Sequence, residues 1–304
     1  MRLRHQDRFR RLSGVSLLTL GLLSGCTVPA RDLGALSPGN VSELAAKRPS
    51  HPFPYGLGGQ LGTVPKMVVV PAGGLAMALP RSIDLRSGCS AIGNQGQTNS
   101  CSAFATVDGL AEYLVRKQGH AEDFAPGFIW NLVRQATNQA NDNVGIDYRD
   151  AMKAIATTGL VRETAFPFPS MALQDDPRSL LSFMTKVPPA ALLAEAKQHR
   201  PFANMQVVPD AQAMKQQVAA GLPVVFGIMA FQSIEATNGP IPLPKKGEAQ
   251  LGSHIILCVG YDDDAKRFII RNSWGPGWGD HGYGYLPYDY VRDGWVHLGA
   301  TAKI

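Results

Sequence analysis

Residues 93–104 read Gly93-Asn94-Gln95-Gly96-Gln97-Thr98-Asn99-Ser100-Cys101-Ser102-Ala103-Phe104. A loop rich in glycine and amide side chains runs into a cysteine, and the character of the chain then changes. From Ala103 the apolar residues fall at Ala103, Phe104, Val107, Leu110, Ala111, Leu114 and Val115. That spacing of three and four predicts a helix with one buried stripe. Asn99 and Ser100 precede it and are good N-cap residues. Cys101 is thus expected at a helix N-terminus, where unpaired N–H groups and the helix dipole favour negative charge. Such a setting stabilises a thiolate. Taken alone, the stretch fits a small buried thiol equally well.

Working outward, Phe124–Gln135 predicts a second buried helix, and Asp147–Thr158 a third, closed by Gly159. Asp210 is placed to cap a helix through Val218, ended by Gly221. Pro223–Ile228 reads as a buried strand. Ser233–Gly252 carries Pro240, Pro242 and Pro244 and reads as a long loop. Ser253–Tyr261 is an apolar strand, Asp262–Ala265 a turn, and Arg267–Arg271 the return strand.

This hairpin brings two more residues into play. Opposed residues of an antiparallel pair have positions of constant sum. A turn centred on Asp263 sets His254 against Asn272. A histidine ring N–H held by an asparagine carbonyl has a fixed orientation and tautomer. That is the part an orienting group plays in a nucleophile–base–orienter triad. Cys101 precedes His254 by 153 residues and Asn272 by 171.

The pattern resembles the papain family of cysteine peptidases. In that family a Gln-Gly pair precedes a short loop, then Ser-Cys, then Ala-Phe one residue on. Gln95 matches the oxyanion-hole glutamine and Cys101 the nucleophile. The order Cys101, His254, Asn272 is the family's order, and Asn272-Ser273-Trp274-Gly275 resembles its late motif. The separations exceed the family's usual ~130–150 residues, and the proline-rich loop absorbs the excess. Pro80–Arg86 resembles the opening of mature chains. Gly145, Gly159-Leu160, Glu163 and Phe166-Pro167-Phe168 match a Gly loop and a "Glu, Tyr-Pro-Tyr" segment. Two departures stand out. Thr98 replaces a common disulfide cysteine, and Ser102 replaces the usual tryptophan.

The resemblance implies an α+β, papain-like two-lobed fold. A helical lobe carries Cys101, an antiparallel β-barrel-like lobe carries His254 and Asn272, and the active-site cleft lies between them. It implies a thiol-dependent endopeptidase: Cys101 as a thiolate beside imidazolium His254, Asn272 as orienter, and Gln95 as oxyanion donor. Gly145, Gly252, Ile255 and Trp274 are expected to line the substrate site, with Trp274 also covering the Asn–His hydrogen bond. No cofactor or metal is implied. The substrate is a protein or peptide. Two alternatives share the fold: a peptide-binding envelope protein without catalysis, and a transamidase or hydrolase of peptidoglycan peptides.

With 304 residues, 45% of them hydrophobic, the chain can bury a sizeable core. Its formal charge of +5 is concentrated at one end. Residues 1–25 hold five of the 29 basic groups and one of the 24 acidic groups, leaving 24 against 23. That near-balance gives no electrostatic case for nucleic acid. Arg2, Arg4, Arg8, Arg10 and Arg11 form a positive flank, and Leu12–Gly25 is a 14-residue uncharged run. A bilayer-spanning helix needs about 20 residues, so residues 1–25 read as a secretory signal. The run ends in Leu23-Ser24-Gly25-Cys26, which resembles a bacterial lipobox with Cys26 as the lipid-bearing residue. Thr27 in the next position implies, by resemblance to Gram-negative lipoproteins, the outer membrane of a bacterial envelope, with release on processing. Residues 26–79 are rich in proline and glycine and read as a tether or a propeptide, with one helical turn or two at Val41–Lys47 and a strand at Lys66–Val70. Residues 80–304 form the peptidase domain.

Other chemistries find no support. There is no HExxH, no CxxC and no GxxxxGK[ST], and the Gly277-Trp278-Gly279-Asp280-His281-Gly282 run suggests no nucleotide site. The four cysteines fall at 26, 89, 101 and 258. Cys89 and Cys258 have no role in this reading. Whether they pair depends on a separation in space that the sequence leaves open.

Overall fold

The computed structural model describes residues 79–304. The signal segment, Cys26, and the helical turn and strand expected before residue 79 lie outside the described residues. The domain is organised on one long strand, β4 (Gln250–Asp262), on which successive apolar side chains point to opposite faces. Ile255, Leu257 and Val259 enter one core, while Ile256 and Cys258 enter another. The strand is apolar throughout because it is covered on both faces.

Around it lie β1 (Ser82–Asp84), β2 (Met205–Val208), β3 (Val224–Phe231), β5 (Arg267–Arg271), β6 (Tyr283–Pro287) and β7 (Val296–Ala302). The sheet runs β2-β7-β3-β4-β5-β6, every pairing antiparallel. β3 pairs with β4 as far as Cys258, and β1 takes over on Gly260–Asp262. β2 and β6 end the order without pairing to each other. The expected barrel-like lobe is therefore an open sheet.

One face of the sheet packs on helices. The first, α1, spans residues 101–117: an α-helical turn Cys101–Phe104, a π-helical section Ala105–Ala111, and an α-helical end Glu112–Lys117. Then follow α2 (Pro126–Ala136), with proline in its first turn, and α3 (Tyr148–Thr157). The Asp147 side chain caps α3 through the Arg149 N–H, and Gly159 beyond it takes φ +94°, as the glycine stop requires. Three short helices were not anticipated: α4 (Met171–Asp175), α5 (Pro177–Met184) and α6 (Ala190–Ala196). The opposite face is closed by α7 (Ala211–Ala219), capped by Asp210 as expected, and α8 (Tyr288–Arg292). The architecture is α+β, with helices against an antiparallel sheet.

The hairpin differs from its expected register. A four-residue turn at 263–266 and a bulge between Cys258 and Gly260 pair Leu257 with Arg271 and Cys258 with Ile270. This is two residues away from the alignment that sets His254 against Asn272. Cys89 and Cys258 form no disulfide. Cys258 is buried in the core that also holds Phe226 and Ile270, and burial pushes its thiol up to about 12. Cys89 packs against the core on the helical side of the sheet.

Candidate active site

The loop ahead of α1 is held by its own polar side chains. Asn94 Oδ1 accepts from the Gly96 N–H at 2.9 Å, an Asx turn. Gly96 takes φ +54°, and a Cβ there would collide with Gln174 and Met171, so only glycine fits. Gln95 Nε2 donates to the Thr98 carbonyl at 2.8 Å. The Thr98 hydroxyl donates back to the Gln95 carbonyl at 2.8 Å and pairs with Ser100 Oγ at 2.6 Å. Ser100 does occupy the N-cap position of α1, but its hydroxyl goes to Thr98 and caps no N–H. Its carbonyl accepts from Ala103 and Phe104. Asn99 is likewise not a cap, since its backbone N–H and its amide both bond Asn143.

Cys101 opens the helix and is fully buried, with its turn packed against β4. On β4, His254 is also fully buried. Its Nε2 lies 2.7 Å from Asn272 Oδ1, and its Nδ1 is buried without a hydrogen-bond partner. Trp274 stacks on the His254 ring at 4.7 Å and 27°, and Trp278 meets Trp274 edge-on at 5.6 Å. Burial pushes His254 down to about 4, with the Asn272 bond pulling the other way.

His254 and Asn272 meet although they are not cross-strand partners. Asn272 lies just past the end of β5, where the chain turns to pair with the Cys101 loop. Gln95 N–H donates to the Ser273 carbonyl at 2.9 Å, and Gly275 N–H donates to the Gly93 carbonyl at 3.0 Å. Ser273 Oγ donates to Gln95 Oε1 at 2.6 Å. Asn272 Oδ1 also accepts from the Ser273 N–H at 2.8 Å. This short seam brings Gln95, Asn272 and His254 together beside the start of α1.

The expected substrate-lining residues fare differently. Gly145 lies next to the Cys101 turn and is buried, since Ser102 Oγ donates to the adjacent Ile146 carbonyl at 2.5 Å. Ile255 is fully buried in the core cluster that also holds Cys101. Trp274 is buried and stacks on the histidine ring as its cover. Gly252 is half-buried at φ +131°, next to the point where the β3–β4 register shifts.

Two residues that support the loop escaped the sequence reading. Asn143 Oδ1 accepts from the Asn99 N–H at 2.9 Å, and its Nδ2 donates to the Gln97 carbonyl at 3.1 Å. Buried Gln174 accepts from the Gln97 N–H at 2.8 Å and donates to the Pro169 carbonyl at 3.0 Å. Both stand in loops or short helices where periodicity carries no signal.

Residues 79–293 match the model of the papain family cysteine protease. An uncharacterized peptidase C1-like protein of Acanthamoeba polyphaga mimivirus is 30% identical over 214 residues, covering 66% of this chain and 65% of its own. Mouse cathepsin K is 28% identical over 213 residues, covering 68% of this chain and 60% of its own. The match thus spans less than two-thirds of the length of either relative. Among solved structures, xylellain, a cysteine protease from Xylella fastidiosa, superposes with a TM-score of 0.72 at 26% identity, covering 83% of this chain and 97% of that one. A cysteine protease of Carica candamarcensis, solved in complex with E-64, shares the fold at a TM-score of 0.55 and 20% identity, covering 74% of this chain and 99% of that one.

Proposed function

The chain belongs to the papain family of cysteine proteases, and from that premise we propose that it is an endopeptidase working through Cys101, His254 and Asn272. The observation that carries this reading is the buried His254–Asn272 pair. Asn272 occupies Nε2 at 2.7 Å, leaving Nδ1 as the ring nitrogen that can take a proton. The Cys101 thiol passes its proton to that nitrogen as Sγ attacks the scissile carbonyl. The C=O electron pair moves onto oxygen, where the Cys101 N–H and the Gln95 carboxamide donate to it. Collapse of this intermediate expels the amine, which takes the proton from His254. Water, deprotonated by His254, then releases the acid and restores the thiol.

Each residue type suits its part. Asn272 orients the imidazole without adding a charge, and Trp274 keeps water from the bond between them. Gln95 is fixed through Ser273 and Thr98, so its donor direction exists before substrate arrives. The substrate is a protein or peptide. We also propose that Cys26 carries lipid and holds the enzyme at a bacterial envelope, on the strength of the Leu-Ser-Gly-Cys motif behind a 14-residue apolar run.

Cleavage of a peptide library by wild type and Cys101→Ala, with a thiol-directed epoxide as the probe, tests the catalytic reading. Cys101→Ala is expected to lose both turnover and covalent labelling. Full peptidase activity in that variant would sink it. For the anchor, metabolic labelling with a fatty-acid analogue should mark wild type and not Cys26→Ser; an unlabelled, fully soluble wild type counts against it.

A further inference from the structure

Four residues beyond Cys101 the helix α1 becomes π-helical, over Ala105–Ala111. π-turns inside α-helices are rare and are frequently found at functional sites. Asp108 lies in this section with its side chain largely buried. Its Oδ1 accepts from Arg271 Nη2 at 2.9 Å, and its Oδ2 accepts from the Gly93 N–H at 3.2 Å. Arg271 ends β5 with a side chain 3% exposed. Its Nη1 donates to the Ser90 carbonyl at 2.8 Å and its Nη2 to the Ala91 carbonyl at 2.6 Å.

Each contact falls on a segment that leads directly to a residue of the site. Asp108 is on the helix that Cys101 opens. Gly93 stands two residues before Gln95. Arg271 stands immediately before Asn272. A small cavity at this point is lined by Phe104, Asp108, Gly109, Arg271 and Asn272. A buried ion pair is poor evidence for stability, since desolvation offsets much of its attraction. What a guanidinium fork and a carboxylate do supply is direction.

We infer that Asp108 and Arg271 are a positioning pair for the proposed reaction, holding the Cys101 helix, the Gln95 loop and the Asn272 end of β5 in one geometry. The inference rests on the peptidase reading above. Neither side chain touches the reacting atoms, so their loss acts through alignment of the residues that do.

The test compares wild type, Arg271→Lys, Asp108→Asn and the double variant Asp108→Asn/Arg271→Met on a small peptide substrate. kcat is expressed per site titrated with a thiol-directed epoxide, so unfolded protein does not count. Arg271→Lys retains the buried charge and replaces the fork by one compact donor. It should lower kcat per titrated site by about tenfold with KM within about twofold of wild type. Added to Asn272→Ala, it should change kcat by less than about twofold, because the alignment it protects is already lost. The double variant, which leaves no unpaired buried charge, should show the same per-site loss and supplies that result if Asp108→Asn does not fold. Wild-type kcat per titrated site in Arg271→Lys and in the double variant, whatever their melting temperatures, would overturn the inference. So would full additivity between Arg271→Lys and Asn272→Ala. A fully active Cys101→Ala variant, with the ion pair intact, would instead overturn the peptidase reading.

Discussion

The Cys101 side of the site rests on a loop and the His254 side on a strand. Residues 93–100 are fixed by side-chain hydrogen bonds: Asn94 to Gly96, Gln95 to Thr98, Thr98 to Ser100 and Asn99 to Asn143. His254 is fixed by the ladder of β3, β4 and β5 and by apolar residues on both faces of the sheet. The loop gains directional precision from many weak contacts, each of which one substitution can delete. The strand gains its place from register, which no single side chain controls. Polar deletions should therefore disturb chemistry on the loop side, while core truncations on the strand side should disturb stability.

The largest expected effect treats the two sides alike. His254→Ala should lower kcat by about 10⁶-fold, comparable to losing the histidine of a serine triad. A much smaller loss would mean that the strand contributes no base and that the contrast concerns a different site. Next is Gln95→Ala, which should lower kcat by about 10²–10³-fold through loss of an oxyanion donor, read as kcat per titrated site. A third pair sharpens the contrast directly. Asn143→Ala deletes two hydrogen bonds to the loop, at Asn99 and Gln97, and should lower kcat per site by about tenfold. Ile270→Val, in the buried core behind the hairpin, should cost about 1 kcal/mol of stability and leave kcat per site unchanged. Equal kinetic losses from the two would break the distinction.

The smallest effect concerns pH. His254 is held at about 4, below its ordinary 6.5, so the unfolded chain binds the proton more readily than the folded one. Its contribution to stability is complete above pH 6.5 and falls as pH drops towards 4. Thermal melts of Cys101→Ala, which removes the partner thiol, should show Tm declining over that window, and the decline should be weaker in Cys101→Ala/His254→Gln. Identical profiles in the two proteins would show that burial on the strand side leaves the histidine's titration unshifted.

Much of this was legible from chemistry carried by residue type. The segment from Gln95 to Phe104 and the run Asn272–Gly275 were readable because each contains groups whose spacing serves a reaction. Asp210 was readable as a cap because an acceptor side chain before an apolar period has few other uses. The hairpin register was not readable. The bulge after Cys258 adds a residue on one strand only, and nothing in Cys-Val-Gly announces it. The short helices between Met171 and Ala196 escaped because elements of five to eight residues hold too few turns to show a period. Ile255, adjacent to His254 on the strand, enters the core with Leu257.

Thr98 stands where many relatives by resemblance would carry a crosslinking cysteine. Its hydroxyl joins the Gln95 carbonyl and Ser100 instead, and none of the three cysteines among the described residues is in a disulfide. A clasp made of hydrogen bonds is indifferent to redox potential. The reductant that keeps a nucleophilic sulfur from oxidation therefore has no covalent strut to sever in this domain. Protecting the thiol and preserving the scaffold, which compete where a bridge closes the loop, make the same demand on the surrounding solution here.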